Sequence, residues 1–105
     1  MKEVTVSELK QMMDNEDDFQ LIDVREEYEV DIASIGGELI QMGDVMDTLD
    51  KISRNKKVVL YCRYGNRSGI VAQVLEEQHG FTNIYNLKGG ILAWADEIDT
   101  SMEKY

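Results

Sequence analysis

One stretch of this chain constrains its fold more than any other: an apolar, β-branched run that leads through a short loop into a helical pattern. The letters KVVLY at residues 57–61 predict a buried strand. The loop CRYGNRSG begins at the next residue, and apolar side chains then recur at helical spacing over residues 68–79, ahead of a glycine expected to end the helix, Gly80. A strand followed this closely by a helix is typical of α/β folds with parallel sheets.

The rest of the chain alternates in the same manner. Ser7 is a suitable N-cap for a first helix whose apolar face holds Leu9, Met12 and Met13. A single domain over residues 1–105 is expected, because the chain has neither linker nor repeat. We predict an α/β fold with a mainly parallel sheet of about four or five strands and helices on both faces. The further predicted elements are strands at 19–24, 38–42 and 83–87, and helices at 26–32, at 43–52 and after Lys88-Gly89-Gly90.

Charge separates the surface from the neighbourhood of the cysteine. The formal net charge is −10, with acidic residues crowded at 14–18 and 26–31. Nucleic acids and anionic membranes are therefore disfavoured as partners, since both need a basic face. The sign reverses near Cys62, where Arg63 and Arg67 lie in a stretch with no acidic residue between Lys56 and Leu75. This local reversal predicts a small anionic substrate.

Cysteine content and hydropathy indicate the compartment. One cysteine cannot form an intramolecular disulfide, which fits a reducing environment. No apolar stretch approaches the roughly 20 residues of a membrane-spanning helix. The first residues, MKEVTV, lack the apolar run of a secretory signal. A cytoplasmic monomer is expected.

The loop after the central strand supplies what a reactive thiolate needs. Cys62 falls at the carboxyl end of a parallel strand, where ligands bind in such sheets, and just before a helix N-terminus. A loop this short turns its N–H groups towards the sulfur only if a residue accepts positive φ. Gly65 is the first candidate and Asn66 the second. Such a cradle favours the thiolate over the thiol.

The polar side chains of the loop have alternative roles. Arg67 can hydrogen-bond a bound oxyanion in a fork, or it can pair with a surface carboxylate. Arg63 can flank the mouth of the site or remain a surface residue. Ser68 can donate to the sulfur or cap the helix. Cys62 itself can be a small buried hydrophobe.

Loop length separates two reaction classes. Four residues lie between Cys62 and Arg67, giving C-x4-R. Cysteine phosphatases use C-x5-R, whose wider cradle accommodates a tetrahedral phosphate. The tighter ring suits a single sulfur atom added to the cysteine. A metal site is not expected, because the one histidine, His79, has no second histidine or cysteine beside it.

Two further segments join the cysteine loop as motifs, LIDVR with Glu29 and NLKGGILAW. Together the three resemble the motifs of the rhodanese-like sulfurtransferases. CRYGNRS at 62–68 resembles their active-site loop, C-R-x-G-x-R-S. LIDVR at 21–25, followed by Glu29, resembles D-V-R-x-x-x-E. NLKGGILAW at 86–94 is similar to the closing L-x-G-G-x-x-A-W. The motifs come in the family's order and cover most of the chain.

The resemblance implies a double displacement. Cys62 takes sulfane sulfur from a donor such as thiosulfate, forms a persulfide and passes the sulfur to cyanide, a thiol or a sulfur-carrier protein. No metal or organic cofactor is implied. The implied catalytic residue is Cys62. Asp23 and Arg25 are expected to support the site by tying the loop and the sheet together rather than by contacting the substrate. The implied substrate-binding loop consists of Arg63, Tyr64, Gly65, Asn66, Arg67 and Ser68.

The chain departs from the family in one segment. Many members read G-H-I-P-G-A where this chain has ASIGGE at 33–38, and Val30 replaces the usual aromatic residue after Glu29. The stretch DIASIGGELI at 31–40 is more similar to rhodanese domains fused to enzymes that activate sulfur-carrier proteins. Ser34 and Gly36 stand where those members have histidine and proline, and we expect the cysteine chemistry to be unaffected by this change. A non-enzymatic relay module and a small phosphatase or arsenate reductase are the competing functions.

Overall fold

The computed structural model describes all of residues 1–105, which form alternating strands and helices. The strands are β1 (Lys2–Val4), β2 (Phe19–Asp23), β3 (Glu38–Leu39), β4 (Lys57–Tyr61) and β5 (Ile84–Leu87). The helices are α1 (Val6–Asp14), α2 (Glu27–Ile32), α3 (Asn66–His79) and α4 (Gly90–Glu97). Two short 3-10 segments cover Met42–Asp47 and Leu49–Lys51.

The five strands form one parallel sheet in the order β1-β5-β4-β2-β3. The predicted α/β class and parallel sheet are confirmed. β4 lies at the centre and pairs with β2 over its whole length, Phe19 opposite Lys57 and Asp23 opposite Tyr61. All strands run the same way, so the carboxyl ends of β2, β4 and β5 meet at one edge.

Side chains from the two faces of the sheet build two apolar clusters. On one face, β2 and β4 pack against α3 and the 3-10 segments; Val58, Leu60 and Cys62 belong to this cluster. On the other face, Val59 and Tyr61 pack against α1 and α4. The alternation of β4 residues between the clusters follows from the two-residue period of a strand. Helices cover both faces, as the apolar run predicts.

Three local features of the structure differ from the prediction. The cap of α1 is Thr5, not Ser7: the Thr5 hydroxyl accepts from Glu8 N–H and the Glu8 carboxylate accepts from Thr5 N–H. β1 was not predicted, because a strand of three residues carries little pattern. Ile70 is 53% exposed, although it belongs to the apolar side chains that recur at helical spacing over residues 68–79.

The helix predicted at 43–52 is also wrong. The segment forms 3-10 turns interrupted at Thr48, whose backbone angles are φ −131° and ψ 35°. The Thr48 hydroxyl donates to the carbonyls of Asp44 and Val45, at 3.0 and 3.3 Å. A side chain that bonds its own preceding turn competes with the regular helical ladder. Met46, an apolar residue of this segment, is 37% exposed.

Candidate active site

Cys62 follows the last residue of β4 and is a free, fully buried cysteine. Its position is the carboxyl edge of the parallel sheet. Asp23 ends β2 on one side of β4, and Leu87 ends β5 on the other. The fold therefore brings the cysteine loop and the Asp23-Val24-Arg25 segment to the same edge.

Three donors converge on the Cys62 sulfur. The N–H groups of Gly65 and Ser68 donate to Sγ at 3.1 and 3.4 Å. The Ser68 hydroxyl lies 3.3 Å from the same atom. The N-terminus of the 14-residue helix α3 is part of this cradle, so its dipole adds to the positive potential at the sulfur. Such an arrangement stabilises a charged sulfur atom.

Gly65 makes the cradle sterically feasible. It is the N-cap of α3 and has φ 105°, a conformation that L side chains rarely adopt. A Cβ at this position would also lie 3.2 Å from the Leu87 carbonyl oxygen. The prediction that Gly65 takes positive φ is confirmed, whereas Asn66 is the first residue of α3.

The first turn of α4 forms hydrogen bonds to the backbone of the cysteine loop. Ile91 N–H donates to the Cys62 carbonyl at 2.9 Å, and Leu92 N–H donates to the Arg63 carbonyl at 3.1 Å. These free N–H groups of a helix start are thereby satisfied. The close approach requires Gly90, which has φ 62° and whose added Cβ would lie 2.6 Å from the Cys62 carbonyl oxygen. The paired glycines of the third motif thus fix the loop.

Arg67 is engaged by a carboxylate. Its Nη1 and Nη2 donate to Oε2 and Oε1 of Glu29 at 2.7 and 2.8 Å. Glu29 is a buried residue of α2, and the hydrogen bonds from Arg67 lower the pKa of its carboxyl to about 2. The same hydrogen bonds raise the pKa of Arg67. Arg67 therefore pairs with a protein carboxylate, one of the two roles predicted for it. That carboxylate is buried, whereas the prediction was a surface carboxylate.

Asp23 and Arg25 form a second, fully buried ion pair. Arg25 Nε and Nη2 donate to the two Asp23 oxygens at 2.9 and 2.8 Å, and Nη2 also donates to the Ala33 carbonyl at 2.9 Å. Burial favours the neutral guanidine, but the hydrogen bonds with Asp23 and Tyr105 outweigh it and raise the pKa of Arg25. Neither side chain bonds to Cys62. They connect β2 to the segment around α2.

Tyr105 links these two ion pairs, and sequence reasoning missed it. Its hydroxyl accepts from Arg25 Nη1 and donates to Glu29 Oε1, each at 2.8 Å. Its ring lies 4.7 Å from the guanidinium of Arg63, which also stacks at 5.0 Å on the ring of Tyr64. Both cation–π contacts hold Arg63 beside the loop mouth. Nothing in the local sequence marks this tyrosine.

Asn86 is the second residue that sequence reasoning did not single out. It lies on β5, is 3% exposed, accepts from the Ser68 hydroxyl at 2.5 Å and donates to the Gly65 carbonyl at 3.0 Å. Ser68 does not cap α3. The available signal is a polar residue in the otherwise apolar and aromatic strand IYNL.

The cysteine is enclosed by its own loop and does not line a cleft. Four surface clefts exist, and none is lined by a residue of the loop 62–69. The exposed side chain of Asn66 reaches the sulfur, with Oδ1 at 3.8 Å from Sγ. Tyr64 beside it is 57% exposed. Cys62 has no exposed surface in this conformation, and Asn66 and Tyr64 lie on its solvent side.

Two further features of the whole chain bear on its chemistry. No three His, Cys, Asp or Glu side chains come together in a way that could hold a metal ion. None of the helices has the length and apolar character needed to cross a membrane.

Similarity to known proteins follows the same motifs. The family model "Rhodanese-like domain" matches residues 5–97. A Bacillus subtilis (strain 168) protein named "Putative sulfurtransferase YtwF" is 37% identical over 98 residues, which are 92% of this chain and 93% of that protein. The crystal structure of a rhodanese-like domain protein from Staphylococcus aureus superposes on this chain with a TM-score of 0.83 and 31% sequence identity. The match covers 100% of this chain and 99% of that chain.

A longer relative carries the same domain as one part. "Probable adenylyltransferase/sulfurtransferase MoeZ" of Mycobacterium tuberculosis is 32% identical over 105 residues. The match covers 97% of this chain and only 26% of that protein. Sequence motifs, sheet topology and the cysteine loop thus agree on one family.

Proposed function

This chain belongs to the rhodanese-like domain family, and we propose that it is a sulfurtransferase carrying sulfane sulfur on Cys62. The observation that supports this most strongly is the convergence of Gly65 N–H, Ser68 N–H and the Ser68 hydroxyl on one sulfur atom. Donors arranged in this way stabilise a negative charge on sulfur, which a nucleophilic cysteine needs.

The proposed reaction has two displacements. The Cys62 thiolate attacks the outer sulfur of thiosulfate; a new S–S bond forms, and the old one breaks with its electron pair leaving on sulfite. The terminal sulfur of the Cys62 persulfide then carries the negative charge. A thiolate or cyanide attacks that sulfur, and Cys62 leaves as the thiolate, ready for another turn.

The loop side chains take supporting roles in this scheme. Arg63, held between Tyr64 and Tyr105, presents positive charge at the mouth, where a doubly charged donor would approach. Arg67 spends both terminal nitrogens on Glu29, so we assign it the task of anchoring the loop to α2 and adding positive charge nearby. Asn66 must swing away before a donor reaches Sγ.

Loop dimensions favour sulfur transfer over phosphatase chemistry. The Gly65 and Ser68 N–H groups donate to Sγ at 3.1 and 3.4 Å and so are not turned outwards to bind the oxygens of a phosphate. We expect no hydrolysis of an aryl phosphate.

A protein acceptor is the second candidate, and the relative that joins an adenylyltransferase to a sulfurtransferase favours it. In that case the persulfide is formed as above and passes to a sulfur-carrier protein faster than to small thiols. Comparable turnover with every small thiol and with the carrier protein would reject this version.

Thiocyanate formation tests the proposal. Purified protein with thiosulfate and cyanide is expected to produce thiocyanate with ping-pong kinetics, and Cys62→Ser is expected to abolish it. Arg54→Ala is a matched control, since Arg54 bonds the His79 carbonyl at the far end of α3. Activity that survives in Cys62→Ser would overturn the assignment of the nucleophile.

A further inference from the structure

Asn86 is buried in the sheet, where an amide side chain without hydrogen-bond partners would destabilise the fold. The residue is 3% exposed, lies on an inner strand of the sheet and has Leu87 and Ile84 as buried strand neighbours. A buried amide is retained in a fold when its donors and acceptors are used. Both polar atoms of this side chain are used, and both partners belong to the cysteine loop.

The Gly65 carbonyl fixes which way the amide faces. A carbonyl oxygen only accepts hydrogen bonds, so the atom 3.0 Å from it must be Nδ2. The same carbonyl also accepts from Gly69 N–H at 3.0 Å, within α3. Two donors thus hold the peptide that follows Gly65, the residue whose own N–H points at Sγ at 3.1 Å.

Once Nδ2 is committed, Oδ1 must face Ser68. Oδ1 lies 2.5 Å from the Ser68 oxygen, and that oxygen lies 3.3 Å from the Cys62 sulfur. The hydroxyl has one proton for two acceptors. Both acceptors lie within reach of the hydroxyl, so the charge on the sulfur can decide which of them receives the hydrogen bond.

We propose that Asn86 is a positioning residue of the Cys62 site, which holds the Gly65 turn and serves as the alternate acceptor for the Ser68 hydroxyl. This inference rests on the proposed function. During the first displacement the negative charge leaves Sγ for the terminal sulfur of the persulfide. The Ser68 hydroxyl then rotates to donate its hydrogen bond to Asn86 Oδ1, and it rotates back to Sγ when the acceptor removes the outer sulfur. The hydroxyl follows the charge without leaving the buried network.

Two substitutions separate the two contacts. Asn86→Asp keeps the size and an acceptor for Ser68 but sets an oxygen against the Gly65 carbonyl and adds a negative charge near the sulfur. Ser68→Ala keeps the Gly65 contact and removes the hydroxyl. The matched control is Asn83→Asp: Asn83 donates to the carbonyls of Ser53 and Lys56, at 2.7 and 2.6 Å, before β5 begins.

The measurement is the rate of Cys62 alkylation by iodoacetamide across a pH series, which needs no sulfur donor. We expect the profile to move to higher pH in both test variants, with a rate near neutral pH about tenfold lower in Asn86→Asp and a smaller loss in Ser68→Ala. Asn83→Asp is expected to keep the profile of the unaltered protein. Asn86→Leu removes both contacts without adding charge, so an unmoved profile in Asn86→Leu, or an equal movement in Asn83→Asp, would overturn the inference.

The same variants distinguish this inference from the proposed function. If the unaltered protein forms no sulfur adduct with thiosulfate while the alkylation profiles differ as expected, the proposed function fails and the contact between Asn86 and the cysteine loop stands as a property of the thiol alone. If the adduct forms equally fast in Asn86→Asp, the positioning role fails and the function stands. Should Asn86→Asp not fold, Ser68→Ala decides: an unmoved profile in that variant overturns the hydroxyl's role.

Discussion

Glu29 in α2 accepts two hydrogen bonds from Arg67 in α3, at 2.7 and 2.8 Å, and so joins the helix after β2 to the helix after the cysteine loop. The carboxylate is buried, and the guanidinium side chain is 30% exposed. A planar fork on a carboxylate is a strong and orientation-specific contact. It fixes where α3, and hence the cradle around Cys62, begins relative to the sheet.

The ion pair between Glu29 and Arg67 makes the free energy of unfolding depend on pH in the acidic range. The pKa of Glu29 falls from its ordinary 4.5 to about 2 in the folded protein, chiefly through hydrogen bonds from Arg67. The stabilisation is therefore complete above about pH 4.5 and is lost as the pH falls towards 2. Glu29→Gln is expected to lower the free energy of unfolding at neutral pH by about 2–3 kcal/mol and to flatten its dependence over this window. Urea denaturation across the pH series measures both effects.

Glu27→Gln is the control, since Glu27 is an exposed residue of the same helix. Acid sensitivity of Glu29→Gln equal to that of the unaltered protein would contradict the role of the pair.

Tyr105 has two separable contributions. Tyr105→Phe keeps the ring beside Arg63 but removes the hydroxyl that bridges Arg25 and Glu29. We expect a loss of about 1 kcal/mol in the free energy of unfolding and an unchanged KM for thiosulfate. Tyr105→Leu also removes the ring, so Arg63 loses one of its two aromatic contacts and KM is expected to rise. Equal KM values in the two variants would refute the role of the ring.

Gly90 is expected to tolerate no side chain. In Gly90→Ala the new Cβ would lie 2.6 Å from the Cys62 carbonyl oxygen, at a residue with φ 62°. We expect a loss of about 3 kcal/mol or more in the free energy of unfolding and a slower reaction at Cys62. Gly43→Ala is the control, because nothing lies within 4 Å of a Cβ there and its φ is not positive. Similar denaturation curves for the two variants would contradict this reading of the paired glycines.

We expect Asn66 to limit access to the sulfur. Its exposed side chain reaches Sγ, which has no solvent-exposed surface of its own. Asn66→Ala is expected to speed alkylation of Cys62 by a bulky maleimide severalfold more than alkylation by iodoacetamide. Asn55→Ala alters an exposed asparagine outside the loop and should change neither rate. A uniform change for both reagents would indicate an altered thiol rather than an opened path.

The elements that place the cysteine could be predicted from local sequence. β4 has the predicted bounds because five residues of high strand propensity are followed at once by the loop. Gly80 ends α3 with φ 69°, as a glycine after the last helical turn indicates. Ile70 lies outside the buried face of α3, although it is apolar. That face consists of Ser68, Gly69, Val71, Ala72 and Leu75.

The network around the loop could not be predicted in this way. Glu29 and Arg67 are 38 positions apart, and Tyr105 and Glu29 are 76 apart. Which distant side chains meet depends on the tertiary packing of α2 and α3 on the sheet, for which single-sequence periodicity carries no signal. The sequence indicates that Arg67 can bind an anion through two hydrogen bonds. It does not indicate that the anion is the buried carboxylate of Glu29.

The most direct test of the account is the mass of the intact protein after incubation with thiosulfate and removal of excess reagent. Because the chain has a single cysteine, an adduct that a thiol reductant removes reports on Cys62 alone. We predict a product heavier by one sulfur atom, formed within a single turnover and absent from Cys62→Ser. An unchanged mass with thiosulfate and with other sulfane-sulfur donors, from protein whose Cys62 still alkylates readily, would contradict the claim that this loop carries sulfur.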